Sequence, residues 1–97
     1  MPTRIVVVED DKDLAELLSY HLRKEGFETH TCLRGTELLG LTLDYDLAIL
    51  DIMLPDLDGF RIAQYMKSNE RLKDIPIIFL TAKDLERDKL RGFSLGA

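Results

Sequence analysis

The chain has 97 residues, enough for one domain, with 13 basic and 18 acidic side chains and a net charge of −5. This charge and the scattered positions of Lys and Arg argue against non-specific nucleic-acid binding, which needs clustered basic residues. No apolar run approaches the roughly 20 residues of a membrane span, and no signal-peptide pattern precedes the first strand, so we expect a cytoplasmic protein. Cys32 is the only cysteine and is predicted to be free and half-buried.

Strand and helix patterns alternate along the chain, which predicts an α/β domain with right-handed crossovers and helices on both faces of a parallel sheet. The predicted strands are residues 5–8, 27–32, 47–50 and 77–80. The second alternates along its length and is placed at a sheet edge, whereas the other three are apolar throughout and typical of buried parallel strands. The predicted helices are residues 12–24, ended by Gly26, then 37–43, 60–68, and a fourth from about Leu85 to beyond Leu90.

Acidic residues follow two of the buried strands directly: Glu9, Asp10 and Asp11 come after the first, and Asp51 closes the third. Since parallel strands end at one edge of a sheet, we expect these side chains to meet there. Clustered carboxylates repel one another unless a cation is present, and Mg²⁺ prefers oxygen ligands. Glu9, Asp10 and Asp51 are therefore candidate Mg²⁺ ligands, and Asp11 is assigned to capping the first helix. In the simpler alternative, Glu9 and Asp10 also serve only the helix N-terminus.

The loop after the third strand contains residues that restrict or free the backbone. Pro55 biases the preceding residue towards an extended conformation, and Gly59 permits a sharp turn into the next helix, so that the carbonyl of Met53 could turn towards a metal. Asp56 and Asp58 are interpreted as solvated turn and cap residues rather than ligands.

Thr81 follows the fourth strand, which brings a hydroxyl to the same edge. Taken alone it is explained as well by a local cap for the next helix. Its position after a third buried strand favours a role at the acidic site.

These residues resemble the receiver domain of bacterial two-component response regulators. The matching motifs, in chain order, are Val7-Val8-Glu9-Asp10-Asp11, then Leu50-Asp51-Ile52-Met53-Leu54-Pro55 with Asp58-Gly59, and Leu80-Thr81-Ala82. Residues 91–97 look like the end of the fourth helix in the OmpR/PhoB-type branch of the family. The resemblance covers residues 1–97 and implies one receiver domain with a flavodoxin-like, doubly wound parallel sheet of strand order 2-1-3-4, incomplete because the last strand and helix of the family are missing.

The resemblance also implies a function and a partner. Asp51 would accept a phosphoryl group from a sensor histidine kinase, while Glu9, Asp10, Asp51 and the backbone carbonyl of Met53 would hold Mg²⁺. Thr81 would hydrogen-bond the phosphoryl group and take part in the switch. The chain would be an acceptor rather than an enzyme, would make no direct contact with nucleic acid or membrane, and would signal to a DNA-binding output domain that this segment does not contain.

The chain departs from the family pattern at the fifth strand, where the family has a lysine and an aromatic residue. The chain ends before both positions. Lys83 cannot replace the lysine, because it follows Thr81 too closely in the sequence. We therefore expect a fragment of a longer regulator, with weak phosphorylation and a sheet covered by homodimerisation or by exchange of elements. Kinase contacts in the family lie on the first helix, which points to Ala15, Ser19 and Leu22.

Three other functions share part of this sequence pattern. A haloacid-dehalogenase-like phosphatase would need a second Asp where this chain has Met53. A flavodoxin-like cofactor binder would need a phosphate-binding loop after the first strand, where the three acidic residues would repel a flavin phosphate. A receiver-like scaffold that acts by protein contact without phosphorylation remains the open alternative.

Overall fold

The structure is a computed structural model that describes residues 2–54, 56–80 and 93–96. The strands are β1 (Arg4–Val8), β2 (Glu28–Cys32), β3 (Leu47–Asp51), β4 (Ile77–Leu80) and β5 (Phe93–Gly96). The helices within the described ranges are α1 (Lys12–Lys24), α2 (Gly35–Leu39) and α3 (Gly59–Ser68). The strands form one sheet in the order β2-β1-β3-β4-β5, and the first four are parallel. The predicted order 2-1-3-4 is confirmed.

The apolar strands β1 and β3 lie inside the sheet and send alternate side chains to its two faces. On one face the side chains of Val6, Val8 and Leu50 pack with α2 and α3. On the other face Ile5, Val7 and Ile49 pack with the leucines of α1, which are Leu14, Leu18 and Leu22. Burial on both faces explains why residues 5–8 of β1 and 47–50 of β3 are all apolar.

The helix α1 and the edge strand β2 agree with the sequence prediction. The helix ends where Gly26 adopts a φ of 96°, a left-handed conformation that glycine tolerates without strain. Strand β2 pairs with β1 and lies at the sheet edge. Cys32, at the end of β2, is fully buried, which corrects the half-buried prediction. None of the helices in the described ranges is long and apolar enough to cross a membrane.

Helix α2 differs from the prediction for residues 37–43, because it begins at Gly35 and ends at Leu39. Leu41 and Leu43 follow Leu38 and Leu39 at the helical spacings of three and four residues. They nevertheless lie in the segment after the helix and pack against the core from there. Their periodicity therefore reflects burial rather than continued helix. Gly40 is the C-cap residue of the helix, and its amide donates to the carbonyl of Glu37 at 3.2 Å.

Strand β5 was not predicted, since residues 93–96 were assigned to the end of a fourth helix. They pair antiparallel with β4, with Ile78 opposite Leu95. The pairing gives hydrogen-bond partners to backbone groups of β4 that would otherwise form an open sheet edge. The predicted helix from about Leu85 to Leu90 and the candidate Thr81 lie outside the described residues. Homodimerisation stays a prediction.

Candidate functional site

The acidic residues meet at the carboxyl edge of the sheet, where β1 and β3 end side by side. Val8 is paired with Leu50, so the next residues of the two strands, Glu9 and Asp51, are neighbours. Asp10 follows in the turn before α1. One carboxylate oxygen from each of Glu9, Asp10 and Asp51 lies within 4.8 Å of the other two. The convergence predicted from the strand ends is therefore present in the structure.

The carboxylates of this cluster differ in their exposure and hydrogen bonding. Glu9 and Asp51 are buried, with exposures of 1% and 3%, whereas Asp10 is exposed. Glu9 Oε2 accepts a hydrogen bond from the Asp11 amide at 3.0 Å, but its Oε1 is buried and has no hydrogen-bond partner among the residues that the structure describes. Asp51 Oδ1 accepts from the Met53 amide at 3.0 Å. Two buried carboxyl groups thus share a small space with few donors.

Burial sets the protonation of the cluster. Removal from water raises the pKa of Glu9 to about 8, opposed by the hydrogen bond from the Asp11 amide and reinforced by the charge of Asp51. Burial also raises the pKa of Asp51, although the Met53 amide lowers it. Without a cation the site therefore retains a proton at neutral pH.

The donor set fits a hard divalent cation. Three carboxylates converge, and one of them has a buried oxygen without a hydrogen-bond partner in the described part of the chain. Carboxylate oxygens are the ligands that Mg²⁺ takes in proteins. An exposed ligand, Asp10, leaves part of the site open to water and to a phosphoryl group. A cation there would replace the missing hydrogen bonds and offset the mutual repulsion of Glu9 and Asp51.

The loop between β3 and α3 is fixed at both ends. The Ile52 amide donates to the carbonyl of Leu80 at 3.1 Å, and the Gly59 amide donates to the carbonyl of Ile52 at 3.0 Å. A Cβ on Gly59 would lie 2.5 Å from the carbonyl oxygen of Asp51, so only glycine allows this approach. Asp58 caps α3 by accepting from the Phe60 amide at 2.7 Å.

Asp56 has a larger role than the solvated turn position that the sequence suggested. Its Oδ1 accepts from the Gly35 amide and its Oδ2 from the Thr36 amide, each at 3.0 Å. These hydrogen bonds lower the pKa of Asp56 to about 2, with the Thr36 amide the largest cause. Sequence reasoning missed this contact because no local pattern links Asp56 to residues 20 or more positions away.

The remaining predicted site residues are placed as follows. Asp11 caps α1, as predicted, by accepting from the Leu14 amide at 3.1 Å. The Met53 amide contacts Asp51, and its side chain is exposed. Thr81 lies outside the described residues.

The proposed partner contacts on α1 need correction. Ala15 and Ser19 are buried, at 1% and 2% exposure, because they face the sheet. They cannot contact a partner directly. Leu17 and Tyr20 are the large apolar residues that α1 exposes.

Comparisons with known proteins agree on one family. The model of the response regulator receiver domain matches residues 5–97. The transcriptional regulatory protein GltR from Pseudomonas aeruginosa is 41% identical over 95 residues, which are 96% of this chain but 39% of GltR. The chain therefore spans about two fifths of that curated relative.

Solved structures with the same fold include the response regulator protein TrrA from Thermotoga maritima in complex with Mg²⁺ and BeF. It has a TM-score of 0.78 at 39% identity, and the match covers 91% of this chain and 76% of TrrA. A structure of the histidine kinase ThkA in complex with TrrA matches with a TM-score of 0.74 at 40% identity, covering 82% of this chain and 69% of that chain.

Proposed function

Because the chain belongs to the response regulator receiver domain family, we propose that it accepts a phosphoryl group on Asp51 from the phosphohistidine of a sensor histidine kinase. The observation that carries this proposal is the meeting of Glu9, Asp10 and Asp51 within 4.8 Å at the end of β1 and β3. The kinase complex of the related protein TrrA supports the class of donor.

In the proposed transfer, a carboxylate oxygen of Asp51 attacks the phosphorus of the phosphohistidine. The new P–O bond forms as the P–N bond breaks, and the electron pair of the broken bond stays on the imidazole nitrogen of the kinase. The hydrogen bond from the Met53 amide to Asp51 Oδ1 holds the acceptor in one orientation. The product is an acyl phosphate on Asp51.

The same site is proposed to bind Mg²⁺ through Glu9, Asp10, Asp51 and the backbone carbonyl of Met53. Two observations support this: Glu9 Oε1 has no hydrogen-bond partner within residues 2–54, 56–80 and 93–96, and the pKa values of Glu9 and Asp51 are raised. A cation would stabilise the ionised carboxylates. A bound Mg²⁺ would neutralise charge on the phosphoryl oxygens during transfer.

Thr81 is proposed to hydrogen-bond the transferred group and to take part in switching. Support comes from the sequence, since Thr81 directly follows β4, and Leu80 at the end of β4 is paired with Asp51. The chain would then serve as an acceptor whose own catalysis is limited to its phosphorylation and dephosphorylation.

The output and the partner surface are also proposals. GltR is a transcriptional regulatory protein more than twice the length of the matched segment, which supports a DNA-binding output domain in the whole regulator and a cytoplasmic location. On α1, the exposed side chains of Leu17 and Tyr20 replace Ala15 and Ser19 as the proposed kinase contacts.

Intact-mass spectrometry after incubation with a small phosphoryl donor and Mg²⁺ tests the proposal. We expect a phosphoryl adduct on the wild-type chain that is absent with EDTA and absent from Asp51→Asn. Asp44→Asn is the matched control, because the Asp44 carboxylate is 94% exposed and outside the site. It should form the same adduct as wild type.

An adduct that survives Asp51→Asn would place the acceptor elsewhere. A folded wild-type chain that forms no adduct would instead favour the receiver-like scaffold, which acts by protein contact alone. Circular dichroism of each variant separates a lost acceptor from a lost fold.

A further inference from the structure

A single carboxylate joins the loop of the acidic site to helix α2. Asp56 lies in the loop between β3 and α3, and both of its oxygens accept backbone amides of α2, from Gly35 and Thr36. Each contact is 3.0 Å long, which is a good hydrogen-bond distance for an amide and a carboxylate.

Helix α2 depends on this carboxylate because the side chain of its own N-cap residue cannot accept a hydrogen bond from the first amides of the helix. The N-cap position is Arg34, whose guanidinium has no acceptor atom. Glu37 reaches back to the amides of Leu33 and Arg34, at 2.9 and 3.0 Å. The amides of Gly35 and Thr36 are left for Asp56, so the first turn of the helix is completed from another part of the chain.

The start of α2 packs closely against α3 and the loop at Gly35. A Cβ on Gly35 would lie 2.7 Å from Ile62 Cδ1 and 3.1 Å from Leu57 Cβ. The start of α2 therefore rests directly on the loop and on α3. The Asp56 hydrogen bonds hold the loop against this start of α2.

Backbone hydrogen bonds of Ile52 and Gly59 also hold this loop at its two ends. Between them lies Met53, whose amide binds the acceptor Asp51. We propose that Asp56 is a positioning residue that holds this loop in the conformation needed to bind Mg²⁺ and to present Asp51, an inference that rests on the proposed function. It couples α2 to the acidic site.

Such a coupling must act in both directions. If the contact between Asp56 and α2 increases the affinity of the site for Mg²⁺, then Mg²⁺ must strengthen that contact by the same factor. The amides of Gly35 and Thr36 should then exchange hydrogen more slowly when Mg²⁺ is bound. A contact that only stabilises the fold would leave the local opening of these two amides unchanged, and Mg²⁺ would then slow only exchange that occurs by global unfolding.

The first experiment is a titration of each protein with Mg²⁺ alone, followed by NMR. We expect Asp56→Ala to weaken Mg²⁺ binding by about 10-fold, the lower end of the usual effect of removing a residue that orients metal ligands. Asp56→Asn keeps one acceptor oxygen and should lose less affinity. If Asp56→Ala fails to fold, Asp56→Asn replaces it in the comparison with wild type.

Asp58→Asn is the matched control. It removes one negative charge from the same loop but keeps the cap on the Phe60 amide, because Asn is also a good N-cap. We expect its Mg²⁺ affinity to stay close to that of wild type. Equal losses for Asp58→Asn and Asp56→Asn would mean that charge, and not positioning, is responsible, and would overturn the inference.

The second measurement is hydrogen exchange at Gly35 and Thr36 in the wild-type chain, with and without Mg²⁺. Exchange at these amides must be faster than at the core amides of β1, which shows that it occurs by local opening. Under that condition, slower exchange with Mg²⁺ would support the coupling, and unchanged exchange in a protein that binds Mg²⁺ would overturn it. A wild-type chain that binds no Mg²⁺ contradicts the proposed metal site itself. Mg²⁺ binding that is equal in wild type and Asp56→Ala contradicts the positioning role alone.

Discussion

At the scale of single residues, Glu9 is the most buried carboxylate of the acidic cluster. It is 1% exposed, one of its oxygens has no hydrogen-bond partner among the described residues, and the negative charge of Asp51 acts on it. Burial is the main reason why the pKa of Glu9 rises to about 8, because a charged carboxylate is poorly solvated there. Glu9 therefore favours the protonated form until a cation or a higher pH removes the proton.

The pH dependence of stability follows from this shift. In the unfolded chain Glu9 has the ordinary pKa of 4.5, and in the folded chain about 8, so its contribution is fully present below 4.5 and is lost as pH rises through 8. Asp51 contributes in the same direction. We expect the free energy of unfolding of the metal-free protein to fall by roughly 1–3 kcal/mol between about pH 5 and about pH 8. Urea denaturation at several pH values measures this.

The control for this prediction is Glu9→Gln, which keeps the shape of the side chain and cannot ionise. Its stability should vary much less over the same range, and added Mg²⁺ should stabilise wild type at pH 8 but not this variant. Asp56 does not interfere, because its pKa is lowered to about 2 and its contribution is lost only as pH falls below about 4. A wild-type curve that rises towards pH 8 would contradict the assignment.

At the scale of elements, the junction between the site loop and α3 depends on Gly59. Its position brings the start of α3 against the last residue of β3, with space for a hydrogen but not for a methyl group. The approach allows the Gly59 amide to donate to the carbonyl of Ile52. Asp51 directly precedes Ile52 in the chain, so the position of α3 is linked to the position of the acceptor Asp51.

Gly59→Ala is therefore expected to damage both stability and function. The added Cβ would lie 2.5 Å from the carbonyl oxygen of Asp51, and backbone cannot move aside as a flexible side chain does. We expect a loss of about 1–3 kcal/mol in the free energy of unfolding, together with slower formation of the phosphoryl adduct. Chemical denaturation and intact-mass spectrometry measure the two effects.

Gly40→Ala is the matched comparison. The nearest atom to a Cβ there is 3.8 Å away, and its φ of −91° suits any residue. Its stability should equal or slightly exceed that of wild type, by up to about 1 kcal/mol. Similar losses for both substitutions would show that the close approach at Gly59 is not the cause.

At the scale of the whole molecule, the sheet is extended beyond its parallel part by β5. The antiparallel pairing with β4 places Leu80 opposite Phe93 and Ile77 opposite Gly96. Strand β4 therefore has a neighbour on each side, β3 and β5. This pairing protects the strand that ends beside Asp51 from becoming an open edge.

A proline test examines this pairing. Successive amides of an antiparallel strand point to opposite sides, so one of the Ser94 and Leu95 amides faces β4. Substituting both residues by Pro therefore removes a ladder hydrogen bond. We expect faster hydrogen exchange at residues 78–80 and a loss of roughly 1–3 kcal/mol in the free energy of unfolding. The corresponding double Ala variant keeps its amides and should exchange more slowly at β4. Equal exchange in the two variants would show that β4 does not depend on β5.

The sequence by itself determined the parallel core, helices α1 and α3, and the meeting of Glu9, Asp10 and Asp51. These features are encoded locally, since an apolar run defines a buried strand and the direction of parallel strands sends their carboxyl ends to one edge. The cap at Asp11 is local in the same sense, because it acts on Leu14, three residues away.

Only the tertiary structure decided the length of α2, the pairing of β5 and the partners of Asp56. Leu41 and Leu43 continue the helical spacing of the preceding leucines because they pack against the same core, and packing against the core does not require a helix. Asp56 contacts amides 20 and 21 residues away, and no periodicity or motif connects such positions. The raised pKa of Glu9 is likewise a property of burial, which depends on everything packed around it. Local sequence specifies the direction of the chain, whereas packing decides which distant groups come into contact.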